Sequence, residues 1–189
     1  MEKVSVLIAT YNGGRFLREQ LESVLGQTYT NLEILVRDDQ STDNTYSILE
    51  EFSARDPRVV VKRNNENLGI NRNFLTLVHE ASGEYIAICD QDDVWEENKI
   101  AVLVSEIGEN SMIYCDSAII DSKGDPEGYT FLEKINKTAK CGQACYEIAW
   151  NSSVPGHATL FHRDLIEFLP RERALFLYCL LYTSDAADD

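Results

Sequence analysis

Apolar and polar positions alternate in blocks along the first half of the chain. Short runs of apolar, often β-branched residues predict four strands, over residues 4–9, 32–37, 59–62 and 85–89. Between them, apolar residues recur at helical spacing. They predict three helices. The first covers residues 15–27, the second starts at a cap within residues 41–43 and runs to about residue 54, and the third covers residues 70–81. This alternation predicts an α/β fold with a mainly parallel central sheet and helices on both faces.

The second half has a more mixed pattern. It predicts a helix over residues 98–107, a strand over 112–116, a turn-rich link over 121–128, a strand over 154–161 and a helix over 163–169. Residues 131–150 follow neither period. No repeat or low-complexity linker divides the sequence, and 189 residues can bury one good core. We therefore predict one domain over residues 1–170.

Polar segments follow three of the four predicted strands. Thr10-Tyr11-Asn12 comes after the first strand, Asp38-Asp39 after the second, and Asp90-Gln91-Asp92-Asp93 after the fourth. In open α/β sheets, ligands bind beyond the carboxyl ends of the strands. Three separate strand ends therefore predict one binding crevice.

The charge of the chain is strongly acidic, with 32 acidic and 17 basic residues and a net charge of −15. This argues against a bare nucleic-acid binder, because phosphate neutralisation by basic side chains supplies most of that affinity. Carboxylates crowded at a strand end repel one another unless a cation lies among them. Asp90-x-Asp92 thus predicts a site for Mg²⁺ or Mn²⁺, ions that favour oxygen ligands and bridge to substrate phosphates.

Other ligand motifs fit poorly. An EF-hand starting at Asp90 would have Trp95 in place of its glycine and Ala101 in place of its bidentate glutamate. The first strand is not followed by G-x-G-x-x-G, and no Walker loop is present. A phosphoacceptor receiver domain has its acidic pair after the first strand, whereas Asp38-Asp39 follows the second. That alternative is disfavoured but stays open.

The cysteines are five in number and irregularly spaced, which favours a reducing cytoplasm. Cys141 and Cys145 could bind zinc with His157 and His162, although the spacing matches no familiar zinc motif. The first predicted strand begins close to residue 1, and the residues before it do not have the charged-then-apolar pattern of a signal peptide. Its longest apolar run, residues 174–182, is too short to span a membrane.

A series of motifs, in order, resembles family 2 glycosyltransferases over about residues 3–165. The D-Q-D-D-x-W variant is similar to that of bacterial rhamnosyltransferase-like members, which build surface polysaccharides. The matching segments are Val4–Asn12, Leu25–Ile34, the D-D-x-S-x-D turn at Asp38–Asp43, the N-x-G loop at Asn67–Gly69, and Gly83–Ile86 followed by Asp90–Trp95.

The resemblance implies a GT-A fold, a Rossmann-like fold that binds nucleotide-diphospho-sugars, and a donor such as dTDP-rhamnose or a UDP-sugar. It implies a divalent Mg²⁺ or Mn²⁺ ion that neutralises charge on the leaving diphosphate. It assigns the donor to Thr10, Tyr11, Asp39, Arg72, Asn73 and Asp90, the metal to Asp92 assisted by Asp90, and the acceptor side to His157. Asp38 is interpreted as a structural brace of its turn.

The resemblance further implies an inverting transfer to a cell-surface polysaccharide or a lipid-linked glycan. It implies a cytoplasmic protein whose full-length form can work peripherally at the inner face of the cell membrane. No nucleic acid is expected among its partners.

The end of the chain departs from the family pattern. Inverting members use an Asp or Glu as general base, often within His-Asp-Trp-Trp, and no such motif follows Leu169. We therefore expect residues 171–189 to be a non-native or truncated tail, with the fold incomplete and the base beyond the chain end. A non-catalytic nucleotide-sugar-binding module is the alternative. A sugar nucleotidyltransferase ranks last, since the Gly-rich loop that such enzymes need around the triphosphate is missing.

Overall fold

The computed structural model describes residues 1–139, 142 and 154–168. The described strands are β1 (Val4–Thr10), β2 (Leu32–Asp38), β3 (Val59–Arg63), β4 (Tyr85–Cys89), β5 (Met112–Tyr114), β6 (Ala118–Ile120), β7 (Pro126–Thr130) and β8 (Thr159–His162). The α-helices are α1 (Leu17–Leu25), α2 (Thr45–Arg55), α3 (Ile70–Glu80), α4 (Lys99–Glu106) and α5 (Phe131–Lys134). Short 3-10 helices cover Gly156–Ala158 and Arg163–Phe168.

The main sheet has six strands in the order β3-β2-β1-β4-β8-β5. The first four are parallel, and β8 runs antiparallel to both of its neighbours. β6 and β7 form a separate antiparallel pair. The predicted α/β class with a mainly parallel sheet is confirmed.

Both faces of the sheet are covered, which explains why its central strands read as unbroken apolar runs. Successive side chains of a strand point to opposite faces. In β1, Val6 and Ile8 pack in the core with α1, α2 and α4, while Leu7, between them, packs in the core with α3. α3 contributes its predicted inward residues, Phe74, Leu77 and Val78.

Several predicted boundaries differ from the structure. α2 begins at Thr45, one residue later than a cap at residues 41–43 implies, although Asp43, one of the three predicted caps, does accept the Thr45 N–H at 2.9 Å. The turn-rich link over 121–128 is partly the hairpin β6-β7, closed where the Asp121 N–H donates to the Asp125 carbonyl at 2.9 Å.

The C-terminal part of the described chain also differs. The predicted strand over 154–161 starts only at Thr159, since Gly156–Ala158 forms a 3-10 turn after Pro155. The predicted helix after it is the 3-10 helix Arg163–Phe168. The ambiguous stretch 131–150 begins with the short helix α5, whereas most of its remainder and the predicted tail 171–189 lie outside the described residues. Among the helices that are described, none has the length and apolarity needed to cross a membrane.

Candidate functional site

The strand order places the ends of β2, β1 and β4 side by side, as three adjacent parallel strands. The loops that leave these ends are tied together. The Asn12 N–H donates to Ser41 Oγ at 2.9 Å, and Asn12 Oδ1 accepts the Thr42 N–H at 2.8 Å. Asn12 has a positive φ of 49°, a conformation that Asn tolerates better than most residues. The loops after β1 and β2 therefore form one structural unit.

The loop after β4 is joined to this unit by Gln91. Its Oε1 accepts the Tyr11 N–H at 3.0 Å, and its Nε2 donates to the Tyr11 carbonyl at 3.3 Å. A Cβ added to Gly13 would lie 2.2 Å from Gln91 Oε1, so the glycine gives the amide room to approach. The Tyr11 residue itself is 49% exposed. The three loops that were predicted to form one crevice are therefore joined by hydrogen bonds, and the exposed side chain of Tyr11 lies just after β1.

Asp38 braces its turn, as predicted. It is fully buried, accepts the Ser41 N–H at 3.1 Å and forms an ion pair of 3.1 Å with Arg63 Nε. Thr10, also buried, directs its Oγ1 to Asp38 Oδ1 at 3.5 Å. Thr10 thus contacts the brace through its side chain. Its carbonyl accepts the Asp39 N–H at 2.8 Å.

Asp39 holds the N-x-G loop. Its Oδ1 accepts hydrogen bonds from Asn64 Nδ2 at 2.6 Å and from the Leu68 N–H at 2.8 Å. Its Oδ2 accepts the Gly69 N–H at 2.8 Å. Gly69 has a φ of 77°, which favours glycine at this point of the loop. Asp39 is only 4% exposed, so its carboxylate already has a structural role.

Arg72 and Asn73, at the start of α3, face different surroundings. Arg72 is exposed. Asn73 is buried, where its Nδ2 donates to the Arg37 carbonyl at 2.9 Å and its Oδ1 accepts from Asn64 Nδ2 at 3.1 Å. Asn64, which links Asn73 to Asp39, was missed by sequence reasoning because nothing in its local pattern separates it from an ordinary loop residue.

The acidic loop after β4 brings together a different set of residues from the one predicted. Oxygens of Asp90 and Asp93 and a ring nitrogen of His157 lie within 4.8 Å of one another, close enough to hold a metal ion. Asp92, the predicted metal ligand, is exposed and outside this group. Asp93 was not singled out from the sequence, although it belongs to the D-Q-D-D motif.

Asp93 has an unusual environment. Its Oδ2 is shut off from solvent and has no hydrogen-bond partner among the described residues. Burial raises the pKa of Asp93 to about 7; the positive charge of Lys99 opposes this rise and the negative charge of Asp92 adds to it. A buried carboxylate without a partner is costly, and such groups concentrate at functional sites.

His157 is the third member of this group. It is 7% exposed, its Nε2 lies 3.0 Å from Ser117 Oγ, and its ring meets that of Phe131 edge to face at 5.3 Å. Burial lowers the pKa of His157, although the carboxylate of Asp90 opposes this effect. The neutral imidazole is the form that binds metals. His157 had been predicted on the acceptor side, and the structure brings it to the carboxylates.

The structure does not bring together His157 and His162, the two histidines of the zinc alternative. His162, at the far end of β8, places its Nε2 2.9 Å from Glu84 Oε1 and its ring 5.6 Å from that of Tyr85. Cys141 and Cys145 lie outside the described residues. The structure therefore gives this alternative no support.

The sequence profile described as "Glycosyl transferase family 2" matches residues 5–169. The chain belongs to this family. It is 35% identical over 150 residues to the UDP-Glc:alpha-D-GlcNAc-diphosphoundecaprenol beta-1,3-glucosyltransferase WfgD of Escherichia coli, an alignment that covers 77% of the chain and 58% of WfgD. It is 39% identical over 98 residues to the dTDP-rhamnosyl transferase RfbG of Shigella flexneri, covering 49% of the chain and 34% of RfbG.

This family 2 glycosyltransferase chain also resembles solved structures in fold. The mannosyltransferase PcManGT from Pyrobaculum calidifontis, in complex with GDP-Man and Mn²⁺, superposes with a TM-score of 0.63 at 20% identity, covering 90% of the chain and 48% of that protein. The predicted GT-A fold is confirmed. The chain spans about a third to three fifths of the length of these three proteins.

Proposed function

We propose that this chain binds a nucleoside diphosphate sugar and forms the donor-binding part of an inverting, metal-dependent glycosyltransferase. The observation that carries the proposal is the joining of three polar loops at one edge of the sheet. Asn12 and Gln91 tie the loops after β1, β2 and β4 to one another. Ligands of α/β sheets bind at such edges.

The nucleoside would bind near β1 and β2. The exposed ring of Tyr11 offers a face on which a base can stack, an interaction worth about 1–3 kcal/mol. Asp39 Oδ2 accepts one hydrogen bond among the described residues, and a carboxylate oxygen can accept two. It therefore keeps capacity for an N–H of the base. Thr10 supports this wall by fixing Asp39 through its carbonyl.

The diphosphate would bind near α3 and the acidic loop. Arg72 is exposed and carries a positive charge that suits an anionic ligand. Asn73 would affect the donor only indirectly, since it forms a hydrogen bond with Asn64, which in turn forms one with Asp39. Of the two residues predicted to face the donor, we therefore assign the direct contact to Arg72.

A divalent cation, Mg²⁺ or Mn²⁺, fits the residues of the acidic loop. Carboxylate oxygens are the ligands that these ions prefer, and the unpartnered Asp93 Oδ2 is the kind of group that a cation would satisfy. When bound, the ion would offset charge on the leaving diphosphate. Asp90 is the predicted ligand that belongs to the group, whereas the assignment of Asp92 stays a prediction.

The relatives guide the choice of substrates. WfgD is named for UDP-Glc and a diphosphoundecaprenol-linked acceptor, and RfbG for a dTDP-rhamnosyl donor. We propose a UDP- or dTDP-sugar donor for this chain and a cell-surface polysaccharide or lipid-linked glycan as acceptor. Such an acceptor would bring the full-length protein to the inner face of the cell membrane.

Calorimetric titration of UDP and dTDP into the purified chain, with Mn²⁺ and then with EDTA, tests the donor site. We expect binding that EDTA weakens at least tenfold and that Tyr11→Ala also weakens about tenfold, the effect of losing one stacked base. Tyr129→Ala, which removes an exposed tyrosine from the β6-β7 hairpin, is the matched control. Absence of nucleotide binding in a cooperatively folded sample would contradict the proposal.

A further inference from the structure

Three residues, at the end of β2, just after β3 and in α3, form a closed ring of hydrogen bonds. Arg37 Nη1 donates to Asn64 Oδ1 at 2.9 Å, Asn64 Nδ2 donates to Asn73 Oδ1 at 3.1 Å, and Asn73 Nδ2 donates to the Arg37 carbonyl at 2.9 Å. Both asparagines are buried. Each amide in the ring is therefore held by protein groups on its oxygen side and on its nitrogen side.

The direction of the Asn64 amide follows from the chemistry of its neighbours. A guanidinium can only donate hydrogen bonds, and an ionised carboxylate can only accept them. Asn64 must therefore present its oxygen to Arg37 and its amino group to Asp39. The guanidinium is held from its other side, because Arg37 Nη2 donates to Glu80 Oε1 and Lys62 Nζ lies 3.0 Å from the same oxygen.

Asn64 uses its amino group to occupy one oxygen of Asp39. Asp39 Oδ1 accepts from Asn64 Nδ2 at 2.6 Å and from the Leu68 N–H at 2.8 Å, which uses both acceptor positions of that oxygen. Asp39 Oδ2 accepts only the Gly69 N–H among the described residues. Asp39 is 4% exposed, which leaves little room for water beside it. The carboxylate therefore offers a ligand one acceptor position and not a pair.

We propose that Asn64 is a positioning residue that sets the choice of base through Asp39. By occupying Oδ1 it selects a base with a single N–H and disfavours guanine. Uracil and thymine each carry one N–H, between two carbonyl groups. Guanine carries a ring N–H with an amino group beside it, and a carboxylate with both oxygens open would accept from both. The inference rests on the proposed function, in which Asp39 contacts the base.

The unpaired amino group of guanine would carry the cost of this arrangement. A polar N–H that is removed from water without gaining an acceptor weakens binding by about tenfold or more. Hypoxanthine is guanine without the amino group, so it keeps the ring N–H and lacks the second donor. The difference between the two purines therefore isolates the effect assigned to Asn64 from the effect of ring size.

Calorimetric titration of IDP and of GDP into the wild-type chain, in the presence of Mn²⁺, measures this difference without any substitution. We expect IDP to bind about tenfold more tightly than GDP, because only GDP brings a donor that lacks an acceptor. Equal affinities, or rejection of both purine nucleotides alike, would overturn the inference, since selection would then not depend on the amino group.

Asn64→Ala opens the second acceptor on Asp39. We expect the preference for IDP over GDP to fall to about twofold or less, while UDP binds more weakly because Asp39 loses an anchor. A substitution that only loosens the fold would weaken every nucleotide alike and leave this preference unchanged. Asn65→Ala, at the exposed neighbouring position, is the matched control and should keep the wild-type preference. An unchanged preference in folded Asn64→Ala would overturn the role of Asn64.

The outcomes separate this inference from the proposed function. If neither UDP nor dTDP binds to the folded chain, the donor site and the selection of its base fall together. If UDP binds but IDP and GDP do not differ, the selection by Asn64 falls and the donor site stands.

Discussion

The side-chain amide of Gln91 forms two hydrogen bonds with the backbone of Tyr11, one in each direction. These bonds join the acidic loop after β4 to the loop after β1. Tyr11 and the acidic loop would approach the two ends of the same donor. We therefore expect the spacing between the proposed nucleoside and metal subsites to depend on Gln91.

Replacing Gln91 tests this link. We expect Gln91→Ala to weaken UDP or dTDP binding about three- to tenfold and to lower the free energy of unfolding by about 1–2 kcal/mol, because two hydrogen bonds are lost. Gln91→Glu keeps the acceptor for the Tyr11 N–H and should fall between Gln91→Ala and the wild type. Calorimetry and urea denaturation measure the two effects. Unchanged affinity in Gln91→Ala would show that the link does not set the site.

Replacing Asp39 tests the anchoring of the N-x-G loop. Asn offers one oxygen acceptor where Asp39 uses two, so in Asp39→Asn either the Leu68 N–H or the Gly69 N–H loses its bond to residue 39, and Gly69 then keeps only its weaker bond to Asn67 Oδ1 at 3.2 Å. We expect a loss of about 1–3 kcal/mol in the free energy of unfolding. Amide hydrogen exchange at these two positions should rise. Glu66→Gln, an exposed acid in the same loop region, controls for the change in charge. Equal protection of the loop in both variants would contradict the anchoring role.

Glu33 should make stability depend on pH. Burial alone would raise the pKa of Glu33, but hydrogen bonds from Lys3, Ser5 and Ser82 outweigh it and lower the pKa from 4.5 to about 2. A folded-state pKa below the unfolded value stabilises the protein above pH 4.5. This contribution is lost as the pH falls from 4.5 to 2.

Glu33→Gln tests this dependence. We expect the variant to lose about 1–2 kcal/mol at pH 7, since charge-assisted hydrogen bonds are weakened, and to differ less from the wild type at pH 2.5. Urea denaturation at several pH values gives both numbers. Glu19→Gln, an exposed acid on α1, should show neither effect. A difference from the wild type that is constant across this range would contradict the pKa assignment.

Gly83 should not tolerate a side chain. A Cβ there would lie 2.7 Å from the Lys3 carbonyl oxygen and 2.7 Å from the Ser5 nitrogen, both of which are backbone atoms of or next to β1. We expect Gly83→Ala to lower the free energy of unfolding by about 2 kcal/mol or more, because the strands must separate. Gly26→Ala, at a φ of −77° and with its nearest contact at 3.2 Å, is the control. Comparable stability of both variants in thermal denaturation would contradict the close approach.

Much of the fold could be predicted from local patterns. β4 was predicted at its observed bounds, and α3 within one residue, because apolar periodicity reports directly which side chains are buried. The meeting of the three polar loops could be predicted as well, since parallel strands end at a common edge. Strand Thr159–His162 was predicted too long, because a 3-10 turn and a strand are hard to separate over a short apolar run.

The sequence by itself determined the α/β class, the central strands, the meeting of the three polar loops and the bracing role of Asp38. Only the tertiary structure decided which side chains meet there. Asn64 reaches both Asp39 and Asn73, and His157 reaches Asp90 across the antiparallel pairing of β8 with β4. Within one acidic turn, the backbone path buries the Oδ2 atom of the half-buried Asp93 and exposes Asp92. The spacing of apolar residues along the chain indicates which side chains are buried. The direction of a side chain in a turn, and its partners on other strands, depend on how the whole chain packs.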